Sequence, residues 1–369
     1  MKISVLIGKK INELMDKNNL SLRKLSEEIG VTHPTLKSYI DGEKTIDSEK
    51  LLKVAKLFNK PFDYFFKEEN QEFNFMFRSD LVINNIDYIE QALIDYNDIM
   101  SDCIYNYVPQ KYTLKYNLEK KSILSTVKRI AYEQRKCLNI ENVIPDNYFS
   151  ILSNIGINVI VKDLNNNNIF GVSTLSSDLG SYIIINDSKE IPEERKIFSL
   201  FHEYAHLLFH SNEFKSKDES SSTHSLKSEL NEKIADTFAG HFLMPSYLVD
   251  SYISNKKEID IFDIKRYFKV SLQTAVLMLK EYNKISNEDY RDFWRKINAN
   301  GLRKVEIDPI IYIDYKTKNE KLISKIKELY LNEEISSNKV SEVLGLNIID
   351  TRVLLKEWRS IDERYLPIK

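Results

Sequence analysis

The sequence predicts a mainly α chain with a small β-sheet. In this α+β fold an all-α head comes first, a mixed domain follows, and a helical region ends the chain. Three observations carry that reading. Apolar residues recur at three- and four-residue spacing through most of the 369 positions. Runs rich in β-branched residues gather between residues 156 and 186. Only 9 glycines interrupt the chain, which favours helix. The expected boundaries are 1–67 for the head, 68–121 for a helical connector, 122–250 for the mixed domain and 251–369 for the C-terminal region.

Composition narrows the options. The chain holds 53 basic and 55 acidic residues, a net charge of −2, so no partner is implied by overall electrostatics. Two cysteines, Cys103 and Cys137, make no disulfide framework, which fits a reducing cytoplasm. The apolar run in Met1–Lys10 is too short for a signal peptide, and no segment approaches membrane-spanning length. A cytoplasmic protein with no membrane partner is expected.

In the head, Ile7, Ile11 and Leu14 mark a first helix. Ser21 can cap a second that carries Leu25 and Ile29 inward and stops at Gly30. Thr32 can cap a third, running to about Ile40, and Leu51, Leu52, Ala55, Leu57 and Phe58 supply a closing helix. Two helices joined by a glycine-containing turn are helix-turn-helix geometry. Gly30 to Gly42 resembles the turn and recognition helix of the Xre/Cro-type repressors, with Ile40 where that family often has glutamate. The resemblance implies operator DNA as a partner. Thr32, His33, Thr35, Lys37 and Ser38 would meet base edges or phosphates, and Lys44 a phosphate. The head carries 13 basic against 9 acidic residues, net +4, consistent with a basic face but also with a module that contacts protein.

Residues 68–72 are polar, and Ile83, Ile86, Ile89, Leu93 and Tyr96 then recur at helical spacing. The aromatic residues between 88 and 115 fit core, a brace for the head, or a homodimer contact. Helices are expected over Ile123 to Leu138 and Ile144 to Ile155, and strands over 156–162, 170–175 and 181–186, with a turn at 165–168.

The stretch with the most chemistry follows. His202-Glu203-Tyr204-Ala205-His206 has the form H-E-x-x-H. Pro192, Glu193 and Glu194 open its helix, and Ile197, Leu200, Phe201, Tyr204 and Leu208 form an apolar stripe. His202, His206 and His210 fall on the opposite face. Two imidazoles four residues apart can share one metal ion, and the glutamate between them can handle a water molecule. Downstream, Leu230, Ile234, Phe238, Phe242 and Leu243 predict a second amphipathic helix ending near Pro245. On it, Glu232 can be the third ligand and Asp236 can hydrogen-bond the far nitrogen of a ligand histidine. An isolated pair of this kind would be a solvated acidic face; after H-E-x-x-H the ligand reading is preferred.

Three pieces together resemble the ImmA/IrrE metallopeptidases: Arg195 and Phe198 with His202 to His206; Glu232 to Ala239 running into Leu243-Met244-Pro245; and the strand Tyr182 to Asn186. Ala205 stands where that family usually has glycine. The resemblance implies a zincin-like peptidase domain in which His202, His206 and Glu232 bind Zn2+ and Glu203 is the catalytic base. It also implies a repressor protein as substrate, whose cleavage switches on stress or prophage genes. In that arrangement an extended substrate pairs with an edge strand, and the last strand before the motif helix is the expected edge. Two alternatives stay open: a non-proteolytic helix-turn-helix regulator, and an antitoxin-like repressor whose metal is structural or sensory.

The remaining segments are expected to be less active. Ser211 to Lys227, with His224, reads as a surface loop able to cover the cleft. A third zinc histidine ten residues after the first is excluded, because position 212 is asparagine. Val270–Lys280 and Lys339–Leu355 are loosely helix-turn-helix-like and fit protein packing better than DNA reading.

Overall fold

The computed structural model describes residues 2–18, 20–58, 60, 62–66, 73–75, 86–100, 107–112, 114, 119–176, 179–213, 226–254, 256, 258–301, 305–310, 313 and 318–363. Contacts divide the chain into two compact units, Met1–Gln71 and Glu72–Lys369.

Among its described residues the first unit is all helix: α1 (Ile3–Lys17), α2 (Leu22–Ile29), α3 (His33–Ile40), α4 (Ser48–Leu57) and a 3-10 turn at Phe62–Phe66. Side chains start three of these helices. Ser21, Thr32 and Asp47 accept from the backbone N–H of Lys24, Thr35 and Lys50 at 3.3, 3.4 and 2.9 Å, each cap contributing about 1 kcal/mol. Gly30, at φ +74°, takes the left-handed turn between α2 and α3 that a side chain would strain. Ile7, Ile11, Leu25, Ile29, Leu36, Leu51, Val54 and Phe65 close the core. Gly8 lets α1 approach the end of α3; a Cβ there would lie 2.2 Å from the carbonyl oxygen of Ile40.

The second unit is built on a four-stranded sheet of order β1-β3-β4-β2. The strands are β1 (Phe73–Phe75), β2 (Asn158–Lys162), β3 (Gly171–Ser176) and β4 (Gly180–Asn186). β1 and β4 run antiparallel to β3, and β2 runs parallel to β4. Alternation along the strands feeds two cores. Val159, Val161, Ile183 and Ile185 face one core, shared with α6 (Lys120–Cys137), α7 (Tyr148–Asn154), α8 (Glu193–Phe209), α9 (Leu226–Leu243), α10 (Ser246–Ser254), α11 (Ile261–Phe268) and α12 (Leu272–Glu281). Ile160, Val172, Tyr182 and Ile184 face the other. There α5 (Ile86–Met100) meets three C-terminal helices, α14 (Glu320–Leu331), α15 (Ser337–Leu344) and α16 (Ile348–Glu363); α13 (Asn287–Ala299) lies between α12 and α14 in the chain. The class expected from the sequence, mainly α with a small sheet, is the one observed.

Three details depart from expectation. β4 is not the edge of the sheet, because it is flanked by β3 and β2 and all seven of its residues are buried. Ile183-Ile184-Ile185 is the continuous apolar run of a strand covered on both faces, which an edge strand does not need. The helix expected from Ile144 begins instead at Tyr148, since Pro145 holds Ile144 away from helical backbone. The segment read as connector supplies both β1 and α5 to the second unit. The loop expected at 211–227, with His224, lies outside the described residues between 214 and 225. Among the described residues no helix is long and apolar enough to cross a membrane.

Candidate metal centre

α8 begins after Pro192 and keeps its first-turn acids buried in ion pairs rather than leaving them to solvent. The helix lies between the sheet on one side and α9 on the other. Every described face is therefore covered, including the one bearing the histidines: His202, His206 and His210 are 2%, 2% and 0% exposed. The stripe of Ile197, Leu200, Phe201, Tyr204 and Leu208 fills the core as expected.

His202, His206 and Glu232 come together across α8 and α9. The Nε2 atoms of the two histidines are 3.1 Å apart. Each stands 3.5 Å from a carboxylate oxygen of Glu232. The outer nitrogens are turned to other partners. His202 Nδ1 donates to Asp236 Oδ1 at 2.9 Å, so in the neutral ring its Nε2 carries a lone pair. His206 Nδ1 lies 2.9 Å from His210 Nδ1, and a proton given to that bond leaves His206 Nε2 bare as well. Two imidazole lone pairs and a carboxylate then converge on one point. Ligands about 2.1 Å from a tetrahedral zinc stand roughly 3.4 Å apart, close to the spacings found here.

Glu203 is 3% exposed and points from α8 to the sheet, where Ser173 Oγ donates to its Oε2 at 2.8 Å. Gly171, two residues away on the same face of β3, leaves room for it: a Cβ there would come within 3.0 Å of Glu203 Cγ. Sequence reasoning did not single out Ser173 or Gly171. The signal was the i, i+2 pair Gly171 and Ser173 in a strand, but only the strand register ties it to Glu203. His210 was noted for its face; its bond to His206 was not foreseen.

His241 faces away from this cluster. Its Nε2 meets Glu281 at 2.9 Å, and Tyr282 Oη lies 3.0 Å from its Nδ1 and donates to the Met244 carbonyl at 2.7 Å. In the first unit, Thr32, His33, Lys37 and Lys44 are exposed, and Thr35 and Ser38 half-buried. The hydroxyls of Thr32 and Thr35 are 2.8 Å apart and engaged in capping α3, so His33, Lys37 and Lys44 are the side chains with most freedom to meet a ligand.

Comparison with known proteins agrees with both regions. Residues 152–280 match the model of a peptidase family described as the IrrE N-terminal-like domain. Residues 11–65 match a helix-turn-helix model. No curated protein matches the chain. Among solved structures, the crystal structure of Bacillus thuringiensis PlcR in complex with the peptide PapR7 and DNA aligns over 99% of this chain and 100% of that one. Its identity is 9% and its TM-score 0.19, too low to establish a common fold.

Proposed function

We propose, from the premise that the chain joins a helix-turn-helix DNA-binding domain to a metallopeptidase-type domain of the IrrE N-terminal-like family, that it is a transcription regulator acting as a zinc-dependent endopeptidase. The reading rests chiefly on the convergence of His202 Nε2, His206 Nε2 and the Glu232 carboxylate beside the buried Glu203. Two imidazoles and one carboxylate are a catalytic zinc donor set, with a fourth position left for water. Bound there, zinc would act as a Lewis acid that makes water a nucleophile near neutral pH.

The chain's own residues have separate tasks in this reading. Ser173 occupies Oε2 of Glu203, leaving Oε1 to take the proton of the attacking water and pass it to the leaving amide nitrogen. Asp236 and His210 fix the two histidine rings so that Nε2 of each faces the centre. The substrate would be a partner repressor cut in an extended segment. The head, through His33, Lys37 and Lys44 with Thr32, Thr35 and Ser38 behind them, would bring the enzyme to the same operator; a homodimer would suit a two-fold operator.

Zinc content by mass spectrometry tests the centre. About one ion per chain is expected in the parent and in Glu203→Gln, and little in Glu232→Ala. Glu203→Gln should lose cleavage of the repressor while keeping zinc and DNA binding. Little metal in any of the three, even after zinc is added back, would leave a non-proteolytic regulator. For the head, Lys37→Ala should weaken operator binding and lower the salt slope by about 1; an unchanged slope removes Lys37 from the interface.

A further inference from the structure

The sheet has two outer strands, and they stand differently to Glu203. β2 is separated from β3 by β4. β3 lies directly against the glutamate through Ser173 and Gly171. The strand position beyond β3 is therefore the one next to the proposed base, and a sheet edge is where an extended peptide adds by main-chain hydrogen bonds. That position is taken along the stretch that follows Ser173. Phe73, Asn74 and Phe75 pair antiparallel with Ser176, Leu175 and Thr174.

We infer that β1 is a self-bound strand, holding the edge at which an extended peptide substrate pairs, so that substrate must displace residues 73–75. The inference rests on the reading of His202, His206 and Glu232 as zinc ligands and Glu203 as base. Its length suits an occupant that leaves. β1 has three residues, against five or six in an average strand, so few ladder bonds need to break. Its place in the chain suits a control element: β1 starts two residues after Gln71, where the DNA-binding unit ends. An enzyme closed in this way binds substrate with an affinity reduced by the fraction of open molecules. The occupant holds only the strand edge, so a ligand that touches nothing but the metal should bind whether β1 is docked or not.

Two probes on the zinc-loaded full chain separate these cases. Acetohydroxamate chelates the metal alone; an extended peptidyl hydroxamate chelates it and also needs the strand edge. Asn74 and Leu175 are direct partners, and facing Cα atoms in an antiparallel pair stand about 4.5–5.5 Å apart, within disulfide reach. In a background with Cys103 and Cys137 changed to serine, Asn74→Cys with Leu175→Cys should lock β1 when oxidised. By calorimetry the locked protein should bind acetohydroxamate like the parent and the peptidyl hydroxamate at least tenfold more weakly. A phosphine reductant should restore the loss. Asn74→Pro, which disrupts the pairing, should bind the peptidyl probe several-fold more tightly than the parent. Equal peptidyl affinity in locked and reduced protein, or no gain in Asn74→Pro, overturns the inference. Acetohydroxamate bound by none of the proteins would instead sink the zinc reading, and this inference with it.

Discussion

Helix α8 carries a cluster of buried ionisable groups at each end, and the two differ in how their charges close. At the N-terminal turn, Lys196 meets Asp187 and Glu193 at 2.8 and 3.1 Å, and Lys318 meets the same acids at 2.6 and 2.7 Å. Tyr148 donates to Glu193 at 3.1 Å, and burial pushes its hydroxyl pKa well up, so it stays a donor. Two lysines answer two carboxylates in that group, and on the same turn Glu194 is met by Lys265, which also holds Glu306 at 3.0 Å. In the C-terminal half, His202, Glu203 and His206 are as deeply buried, but the charged groups brought to them, Glu232 and Asp236, are again carboxylates. Imidazole nitrogens facing the half-buried Glu232, beside the buried Glu203, favour a cation. Burial alone therefore does not mark a site; the chemistry of the groups gathered does, lysines with carboxylates at one end and imidazoles with carboxylates at the other.

The largest effect expected from this contrast is on stability. Lys318→Met removes one of the two lysines that Asp187 and Glu193 share, and breaking a buried pair on one side typically costs about 3–5 kcal/mol. Urea unfolding of metal-free protein measures it. A loss under about 1 kcal/mol would mean that water reaches the cluster and that the two ends of α8 are less different than their geometry.

A smaller effect is expected at the other end. Asp236 is exposed, so Asp236→Asn should change metal-free stability by no more than about 0.5 kcal/mol. It should lower zinc affinity about 10–100-fold, because His202 loses the carboxylate that holds its ring and tautomer. Competition with a chelator of known affinity gives the number. Unchanged affinity would show that His202 is oriented without Asp236.

These clusters also show what was legible in the sequence. The i, i+4 spacing in His202–His206 and Glu232–Asp236 is local, so helix geometry alone places each pair on one face, and their chemistry could be read directly. Ser173 was not legible, because a serine in a strand becomes notable only when sheet register sets it over Glu203. Lys318 is more than a hundred positions from Glu193 and no periodicity links them. β4 was misjudged for a different reason: its isoleucines announce a strand, but that β3 pairs with it on one side and β2 on the other is set by register across the sheet and not by its own residues. Local periodicity is written in the chain; which elements meet is decided by burial of the whole.

The smallest effect concerns a third cluster, on the far side of α9. His241 is nine residues beyond Glu232, half a turn round the helix. It and Lys128 both engage Glu281. The hydrogen bond from His241, then the one from Lys128, hold the Glu281 carboxyl down to about 2, against the opposing effect of burial. A carboxyl whose folded pKa lies below its unfolded value of 4.5 stabilises the fold above about pH 4.5 and loses that contribution as pH falls toward 2. Glu281 is 33% exposed, so solvent screens the pair and about 1 kcal/mol is the expected scale. Metal-free Glu281→Gln should therefore melt a few degrees below the parent at pH 7, and the gap should close by about pH 2.5. A gap that persists unchanged in acid would assign the stabilisation to shape and hydrogen bonding. This cluster would then differ in kind from the Lys196–Lys318 group at the start of α8, which is built on buried ion pairs.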